Sequence, residues 1–199
     1  MMAKLILASK SASRQSLMSG AGLDFQAISA DIDERAVEEP LLTQGARPED
    51  VARGLAEAKA VYVSARHPDA YVIGSDQTLS LGERIFHKPR DMAEAADHIR
   101  AFSGATHHLN CGVAVAHAGE VVWSDVSIAR MTMRPISEDF LRRYLTMSGD
   151  AILQSVGAYQ FEGPGVQLFD AIEGDYFTIL GLPMLRLLTG LRNLGAIDG

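Results

Sequence analysis

Short apolar runs alternate with amphipathic stretches along this chain of 199 residues. The runs Lys4–Ala8 and Tyr71–Ile73 are too short for buried helices and end in small or glycine residues, a pattern that predicts buried strands. From Pro48 to about Arg66 the apolar positions recur every three or four residues instead. This spacing predicts an amphipathic helix with a proline in its first turn.

The other apolar and turn signals predict the rest of the elements. In chain order they are a helix starting within Gln15–Met18, a strand over Phe25–Ala30, a hairpin over Thr78–Phe86 turning at Gly82-Glu83, a helix over Met92–Phe102, paired strands over Leu109–Ala116 and Glu120–Arg134, a helix starting at Ser137, a strand over Val166–Ile172 and a last helix opening at Gly181–Pro183. A shift in alternation after Ile128 predicts a bulge. The leucines between Leu185 and Leu194 predict a broad buried face on the last helix.

Composition and charge restrict the class of protein. A net charge of −7 argues against a general nucleic-acid binder, so we expect no nucleic-acid polymer as partner. The single cysteine, Cys111, excludes an intrachain disulfide and a zinc site built on thiolates. We read no signal peptide and no apolar run long enough to span a bilayer. These features predict a soluble, cytoplasmic protein without a membrane partner.

The stretch Tyr71–Pro89 places an acid and a base on either side of a predicted hairpin. Asp76 and Gln77 follow the predicted end of the strand at Gly74-Ser75, and Lys88 follows on the return. An acid at a strand end with a base nearby is one way to hold an anionic, metal-carrying substrate. The alternative is a solvated loop acid.

The first predicted strand leads into a turn of small and hydroxylated residues. Ser9 or Ser11 can cap the helix that follows, and such a helix N-terminus offers backbone N–H groups to a phosphate. Arg14 would add a bidentate charge. The alternative is an ordinary turn with a surface arginine.

Three further features each carry two interpretations. The acids of residues 31–39, Glu34 among them, form either a solvated loop or a site for a magnesium carboxylate. Lys59 lies off the apolar stripe of its helix and is either a solvent lysine or a phosphate contact. The glycine-rich stretch Gly149–Gly165 either approaches a ligand closely or is a mobile linker.

Taken together, these stretches resemble the Maf family of nucleoside triphosphate pyrophosphatases over nearly the whole chain. The similar segments are LILASKSASRQSL, DIDE, Lys59-Ala60, IGSDQ, His87-Lys88-Pro89, Ser103-Gly104 with His107, Gly157–Gly163 and GDYFTILGLP. The resemblance implies one domain over residues 1–199, with an elongated, two-lobed α/β fold similar to that of inosine triphosphatases. A central mixed, twisted β-sheet flanked by helices and an active-site cleft between the lobes are expected. The resemblance also implies a homodimer.

The activity implied by the resemblance is hydrolysis of a nucleoside triphosphate between its α and β phosphates, in the clearance of modified nucleotides. A divalent cation, Mg²⁺ or Mn²⁺, is expected. Asp76 would orient or deprotonate the attacking water and, with Glu34, bind the metal. The phosphate charge would be met by basic side chains, namely Arg14, Lys59 and Lys88.

Three positions bear on which base is recognised. The family's dTTP- and UTP-preferring branch has different residues at the positions of Gln77 and Glu162. The residues of this chain at these two positions resemble those of the 7-methyl-GTP branch instead. A carboxylate can accept hydrogen bonds from the N1–H and amine of a guanine. Ser13 replaces a bulkier residue. We therefore expect 7-methyl-GTP as substrate, with dTTP or UTP hydrolysis, or a non-hydrolysing nucleotide-binding factor in cell-division control, as alternatives.

Overall fold

A computed structural model describes residues 3–198 of the chain. Its strands are β1 (Lys4–Leu7), β2 (Gln26–Ala27), β3 (Ala70–Leu81), β4 (Arg84–Phe86), β5 (Thr106–His117), β6 (Glu120–Met133) and β7 (Phe169–Glu173). Its helices are α1 (Ala12–Gly20), α2 (Glu34–Thr43), α3 (Pro48–Ser64), α4 (Met92–Phe102), α5 (Glu138–Ser148), α6 (Tyr176–Ile179) and α7 (Met184–Asn193). Two 3₁₀ segments occupy Gly149–Gln154 and Pro164–Leu168.

The strands of the described residues form one mixed sheet. Their order is β2-β1-β3-β5-β6-β7, and β4 pairs with β3. β1 runs parallel to β2 and β3, whereas β4 is antiparallel to β3 and β7 is antiparallel to β6. The expected α/β class with a central mixed sheet is therefore confirmed. Among residues 3–198, no helix has both the length and the apolarity that crossing a membrane requires.

The described chain divides into two compact units. The first comprises the chain up to Gln77, Asn110–Ser127 and the chain from Asp175 onward. The second comprises Thr78–Leu109 and Ile128–Gly174. The expectation of a single functional domain with two lobes stays a prediction.

In the first unit, helices cover both faces of the strands. Alternate residues of β1 and β3, such as Leu7 and Ile73, pack with Leu187 and Leu191 of α7. The residues between them face the opposite side, where Val72 packs against Val63 of α3. This alternation follows from the two-residue period of a strand, and it fixes the face on which each side chain of β3 lies.

Glycines let α3 approach the sheet at backbone distance. A Cβ atom at Gly74 of β3 would lie 2.1 Å from the carbonyl oxygen of Ala56, and one at Gly112 of β5 would lie 2.4 Å from that of Ala52. Neither contact is tolerable for a real side chain. A glycine within a strand often marks such a close approach of another backbone, and here it brings the helix that carries Lys59 directly onto β3.

In the second unit, buried aromatic rings surround a histidine. His107 is fully buried, and its Nε2 lies 2.8 Å from the hydroxyl oxygen of Tyr159. Burial lowers the pKa of His107 to about 3. Tyr144 of α5 donates a hydrogen bond to the carbonyl oxygen of Ala158 at 3.1 Å. These two contacts fix the chain at Ala158-Tyr159, so this part of the glycine-rich stretch is anchored rather than a mobile linker.

Most of the predicted elements are confirmed. The helix predicted from Pro48 ends at Ser64, and the hairpin turns at Gly82, whose φ is +60°. The helix predicted over Met92–Phe102 has those bounds, and its cap, Asp91, accepts a hydrogen bond from the backbone N–H of Glu94. The register shift that β6 shows against β7 lies between Thr132 and Met133, so it does not confirm the bulge predicted after Ile128.

Two predictions for the first half of the chain are wrong. The acidic stretch is not a loop throughout, because α2 begins at Glu34, with the carboxylate of Asp33 accepting from the N–H groups of Arg35 and Ala36. The strand does not end at Gly74-Ser75 either. It continues to Leu81, so Asp76 lies within β3 rather than at its end.

Later in the chain, the predicted strand bounds and one buried face need correction. Val166 belongs to a 3₁₀ segment and β7 begins only at Phe169. On α7, Leu187 and Leu191 are fully buried, but Leu185 is 62% exposed. The buried stripe of α7 is therefore narrower than its leucines suggest.

Candidate active site

The candidate site is centred on Asp76 in the middle of β3. Its side chain lies on the same face of the strand as Gly74, two residues earlier, and this is the face that α3 covers. The close approach of α3 at Gly74 brings Lys59 to Asp76, and the lysine Nζ donates a hydrogen bond to Asp76 Oδ1. The position of the acid in the strand and the small residues around it thus determine its partner.

Lys59 pairs with two carboxylates. Its Nζ lies 2.7 Å from Oε1 of Glu34, at the start of α2, and it also forms an ion pair with Asp76. The side chains of Lys59 and Asp76 are 11% and 13% exposed, whereas that of Glu34 is 57% exposed. The result is a cation and a carboxylate largely withdrawn from water, with a second carboxylate open to solvent.

Arg14 connects α1 to the strand that carries Asp76. Its Nη1 donates to the carbonyl oxygen of Ser75 at 2.9 Å, and its Nε donates to the carbonyl oxygen of Gly181 at 2.7 Å. Ser11 caps α1 by accepting from the backbone N–H of Arg14 at 3.4 Å. Because Nε and Nη1 bind carbonyl oxygens, Arg14 holds Ser75 and Gly181 in place. The third guanidinium nitrogen, Nη2, takes part in neither of these two bonds.

Gln77 is held by the chain that follows β7. Its Nε2 donates to the carbonyl oxygens of Thr178 at 2.8 Å and Ile179 at 3.2 Å. Ser75 lies on the same face of β3, and its Oγ is 2.8 Å from the carbonyl oxygen of Gly181. Both neighbours of Asp76 therefore hold the segment Thr178–Gly181.

Most of the predicted site residues lie in the first unit. The structure connects Glu34, Lys59 and Asp76 through ion pairs, and Arg14 and Gln77 through hydrogen bonds to the backbone beside them. Ser13 lies in the first turn of α1. Their assigned roles stay predictions.

Lys88 and Glu162 lie in the second unit. Both side chains are exposed, Lys88 after β4 and Glu162 in the turn that follows Tyr159. Their roles in binding phosphate and base also stay predictions.

The donor set at Lys59 fits a divalent cation of the magnesium type. Two carboxylates, from Glu34 and Asp76, converge on one point, the Nζ of Lys59. Within residues 3–198, no group of three or more histidine, cysteine, aspartate or glutamate side chains is arranged to hold a metal. Mg²⁺ usually takes one or two carboxylates and completes its shell with water and substrate phosphate, so the two carboxylates suffice.

Sequence reasoning missed the residues that support the site. Ser75, Thr178 and Gly181 contact predicted site residues. Thr178 and Gly181 are far from these residues in sequence, and Ser75 lies where the sequence predicts the end of a strand. A signal was available at Gly74, because a glycine inside an apolar strand indicates a close approach of another backbone. The contacts of Thr178 and Gly181 have no local signal.

Comparison with known proteins places this chain in a family. The family model described as "Maf-like protein" matches residues 4–194. The chain therefore belongs to the Maf family.

Curated relatives extend this similarity to the full chain. A protein of Rhizobium etli named 7-methyl-GTP pyrophosphatase is 61% identical over 98% of this chain and 98% of its own length. A protein of Brucella suis with the same name is 59% identical over 100% of both chains. A protein of Bradyrhizobium diazoefficiens named nucleoside triphosphate pyrophosphatase is 54% identical over 95% of this chain and 93% of its own. Among solved structures, a HAM1 protein from Coxiella burnetii is similar with a TM-score of 0.46 and 14% identity, over 66% of this chain and 73% of that chain.

Proposed function

We propose that this chain is a nucleoside triphosphate pyrophosphatase that hydrolyses 7-methyl-GTP to 7-methyl-GMP and pyrophosphate. The observation that carries the proposal is the joint pairing of Lys59 with Asp76 and Glu34, in a member of the Maf family. Relatives named 7-methyl-GTP pyrophosphatase support the substrate, since they are about as long as this chain and 61% and 59% identical to it. The reaction makes the protein a hydrolase that acts on a phosphorus anhydride.

Asp76 is the group that acts on water in this proposal. Its carboxylate accepts a proton from the water while the water oxygen forms a bond to the α phosphorus. The bond between that phosphorus and the bridging oxygen breaks, and pyrophosphate leaves with the electron pair. Lys59 holds the carboxylate in place before attack and offers positive charge to the phosphates, on which such a reaction depends.

Glu34 and Asp76 are the residues that would hold a Mg²⁺ or Mn²⁺ ion. When bound, the ion would neutralise part of the phosphate charge. In this proposal the carboxylate of Glu34, which is 57% exposed, turns from Lys59 to the ion. Lys59 is then available to the triphosphate.

The choice of base rests on groups that can bind a guanine. Guanine offers N–H donors from its ring and amine, for which amide and carboxylate oxygens are suitable acceptors. Gln77 and Glu162 supply such oxygens, and the carboxylate of Glu162 also complements the positive charge of a methylated ring. Uracil and thymine offer a single ring N–H between carbonyl groups and match these acceptors less well.

The experiment that tests the proposal is a pyrophosphate-release assay with purified protein. Release from 7-methyl-GTP is expected only with Mg²⁺ or Mn²⁺, and faster than from GTP, UTP or dTTP at equal concentration. Asp76→Asn is expected to lower kcat by at least about 100-fold. Asp50→Asn is the matched control, because Asp50 pairs with Arg47 and Arg53 rather than with site residues and its loss should leave the rate unchanged.

Other results of this assay would support other functions for the protein. A preference for UTP or dTTP would remove the weight given to Gln77 and Glu162 but keep the reaction. Tight nucleotide binding by calorimetry with no turnover would favour a non-hydrolysing binding factor. The homodimer implied by the resemblance is tested separately, by light scattering.

A further inference from the structure

The catalytic strand is attached to a short segment from the end of the chain, on the face opposite to Lys59. We name Asp175–Gly181 the support segment. Gln77 donates to the carbonyl oxygens of Thr178 and Ile179 in this segment, and Ser75 and Arg14 contact the carbonyl oxygen of Gly181. The segment therefore holds both sequence neighbours of Asp76.

The contacts of Gln77 fix which end of its amide faces away from the support segment. Two backbone carbonyl oxygens can accept hydrogen bonds but cannot donate them, so only the amide nitrogen can face them. The carbonyl oxygen Oε1 then occupies the other branch of the amide. A rotation of the amide by half a turn would set Oε1 against two carbonyl oxygens, and this repulsion disfavours it.

Asp175 fixes the residue that accepts from Gln77. Its Oδ1 accepts from the backbone N–H of Thr178 at 3.0 Å, and its Oδ2 accepts from the Thr178 hydroxyl at 2.6 Å. Thr178 is fully buried, and its carbonyl oxygen also accepts from the N–H of Gly181 at 3.1 Å. Side chain and backbone of Thr178 are thus held at once, which leaves its carbonyl one orientation.

We propose that Asp175 and Thr178 are positioning residues that set base selectivity by locking Gln77 with its oxygen as the group available to the nucleobase. The proposal rests on the proposed function, in which Gln77 contacts the base. A locked oxygen accepts from a base that donates, as the N1–H and amine of guanine do. A released amide can rotate and offer Nε2 instead, which suits the carbonyl groups of uracil.

The test compares selectivity in variants of Thr178. Thr178→Val removes the hydroxyl that binds Asp175 and keeps the shape of the side chain, whereas Thr178→Ser keeps the hydroxyl. The ratio of kcat/KM for 7-methyl-GTP to that for UTP is expected to fall by about three- to ten-fold in Thr178→Val, the size of one hydrogen bond, and to recover in Thr178→Ser. Thr189→Val is the matched control, because Thr189 is exposed on α7 and its hydroxyl donates to the carbonyl oxygen of Leu185 rather than to the support segment.

A double-mutant cycle with Gln77 separates positioning from general damage. In a Gln77→Ala background, Thr178→Val should no longer change the ratio, because the residue through which it acts is absent. An unchanged ratio in Thr178→Val, or an equal fall with and without Gln77, would overturn the proposal. If Thr178→Val does not fold, Asp175→Asn provides the same comparison.

Failure of the proposed function has a different signature. If the wild-type protein cleaves no triphosphate, that function is wrong, and the ratio is then measured as dissociation constants of 7-methyl-GMP and UMP by calorimetry. The same fall in Thr178→Val would still support the positioning role. If the wild type and Thr178→Val have the same ratio of dissociation constants, the positioning role is overturned.

Discussion

Replacing Gly74 by alanine is expected to displace Lys59 from Asp76. A Cβ at this position would lie 2.1 Å from the carbonyl oxygen of Ala56, 2.7 Å from the nitrogen of Ala60 and 2.9 Å from its Cβ. Two of these three atoms belong to the backbone of α3 and cannot rotate away. The helix itself must therefore move outward.

The size of the effect follows from these distances. Restoring an ordinary contact at Ala56 requires a shift of about 1 Å, and a misplacement of about that size in a catalytic site can reduce the rate by about 100-fold. The overpacking should also lower the free energy of unfolding by about 1–3 kcal/mol. We expect both losses in Gly74→Ala, since Lys59 is next to Ala60 in the displaced turn.

Two glycine variants serve as controls for this prediction. Gly112→Ala produces a comparable clash, 2.4 Å from the carbonyl oxygen of Ala52, but two turns of α3 away from Lys59. Gly20→Ala meets nothing within 4 Å and should stabilise α1 by up to about 1 kcal/mol without changing the rate.

Pyrophosphate release and urea unfolding, measured for all three variants, give the comparison. Gly112→Ala should lose stability like Gly74→Ala but lose less activity. Equal losses of activity in these two variants, or wild-type activity in Gly74→Ala, would refute the local displacement of Lys59.

Three further predictions follow from single residues. Lys59→Met removes the cation that two carboxylates share and should lower kcat/KM by about 10²–10³-fold in the pyrophosphate assay; a change below about ten-fold would contradict its role. His107 stays neutral in the fold because its pKa is lowered to about 3, while the unfolded chain takes up a proton below its ordinary pKa. Lowering the pH from 6 to 4 should therefore cost the wild type about 1.4 kcal/mol per pH unit more than His107→Gln, measured by urea unfolding; parallel curves would contradict this. Cys111 is buried, with a pKa raised to about 12, so the native protein should not react with a thiol reagent at pH 8 and should react on unfolding; rapid labelling of the native protein would show that β5 opens.

Local signals predict most of the fold, and their failures have local causes. The helix over Met92–Phe102 is predicted correctly because its cap and its period agree. The helix α2 is missed because its acids and the internal Pro40 are typical of loops, although Asp33 caps it and its Leu41 contacts Gly54 of α3. Contact with another helix, which a single sequence does not display, stabilises this helix in spite of its proline.

The sequence predicts the charged residues of the candidate site but not the contacts that hold Gln77 and Arg14. Asp76, Lys59 and Glu34 are identifiable because ionisable groups in a family motif stand out. Gln77 and Arg14 both bind backbone carbonyl groups that are more than 100 residues away, those of Thr178 and Gly181, at separations of 101 and 167 positions. Any residue carries a carbonyl group, so composition and spacing contain no signal for such contacts.

Ser75, Asp76 and Gln77 alternate between the two faces of β3, so consecutive residues of one strand contact different parts of the protein. Asp76 meets Lys59 on one side, and its two neighbours meet the support segment on the other. If the proposed roles are correct, substitutions in the support segment change which nucleotide is accepted and leave the position of Asp76 unchanged. On that proposal, a change of substrate range in evolution requires substitutions at a few residues of the support segment and none at Asp76.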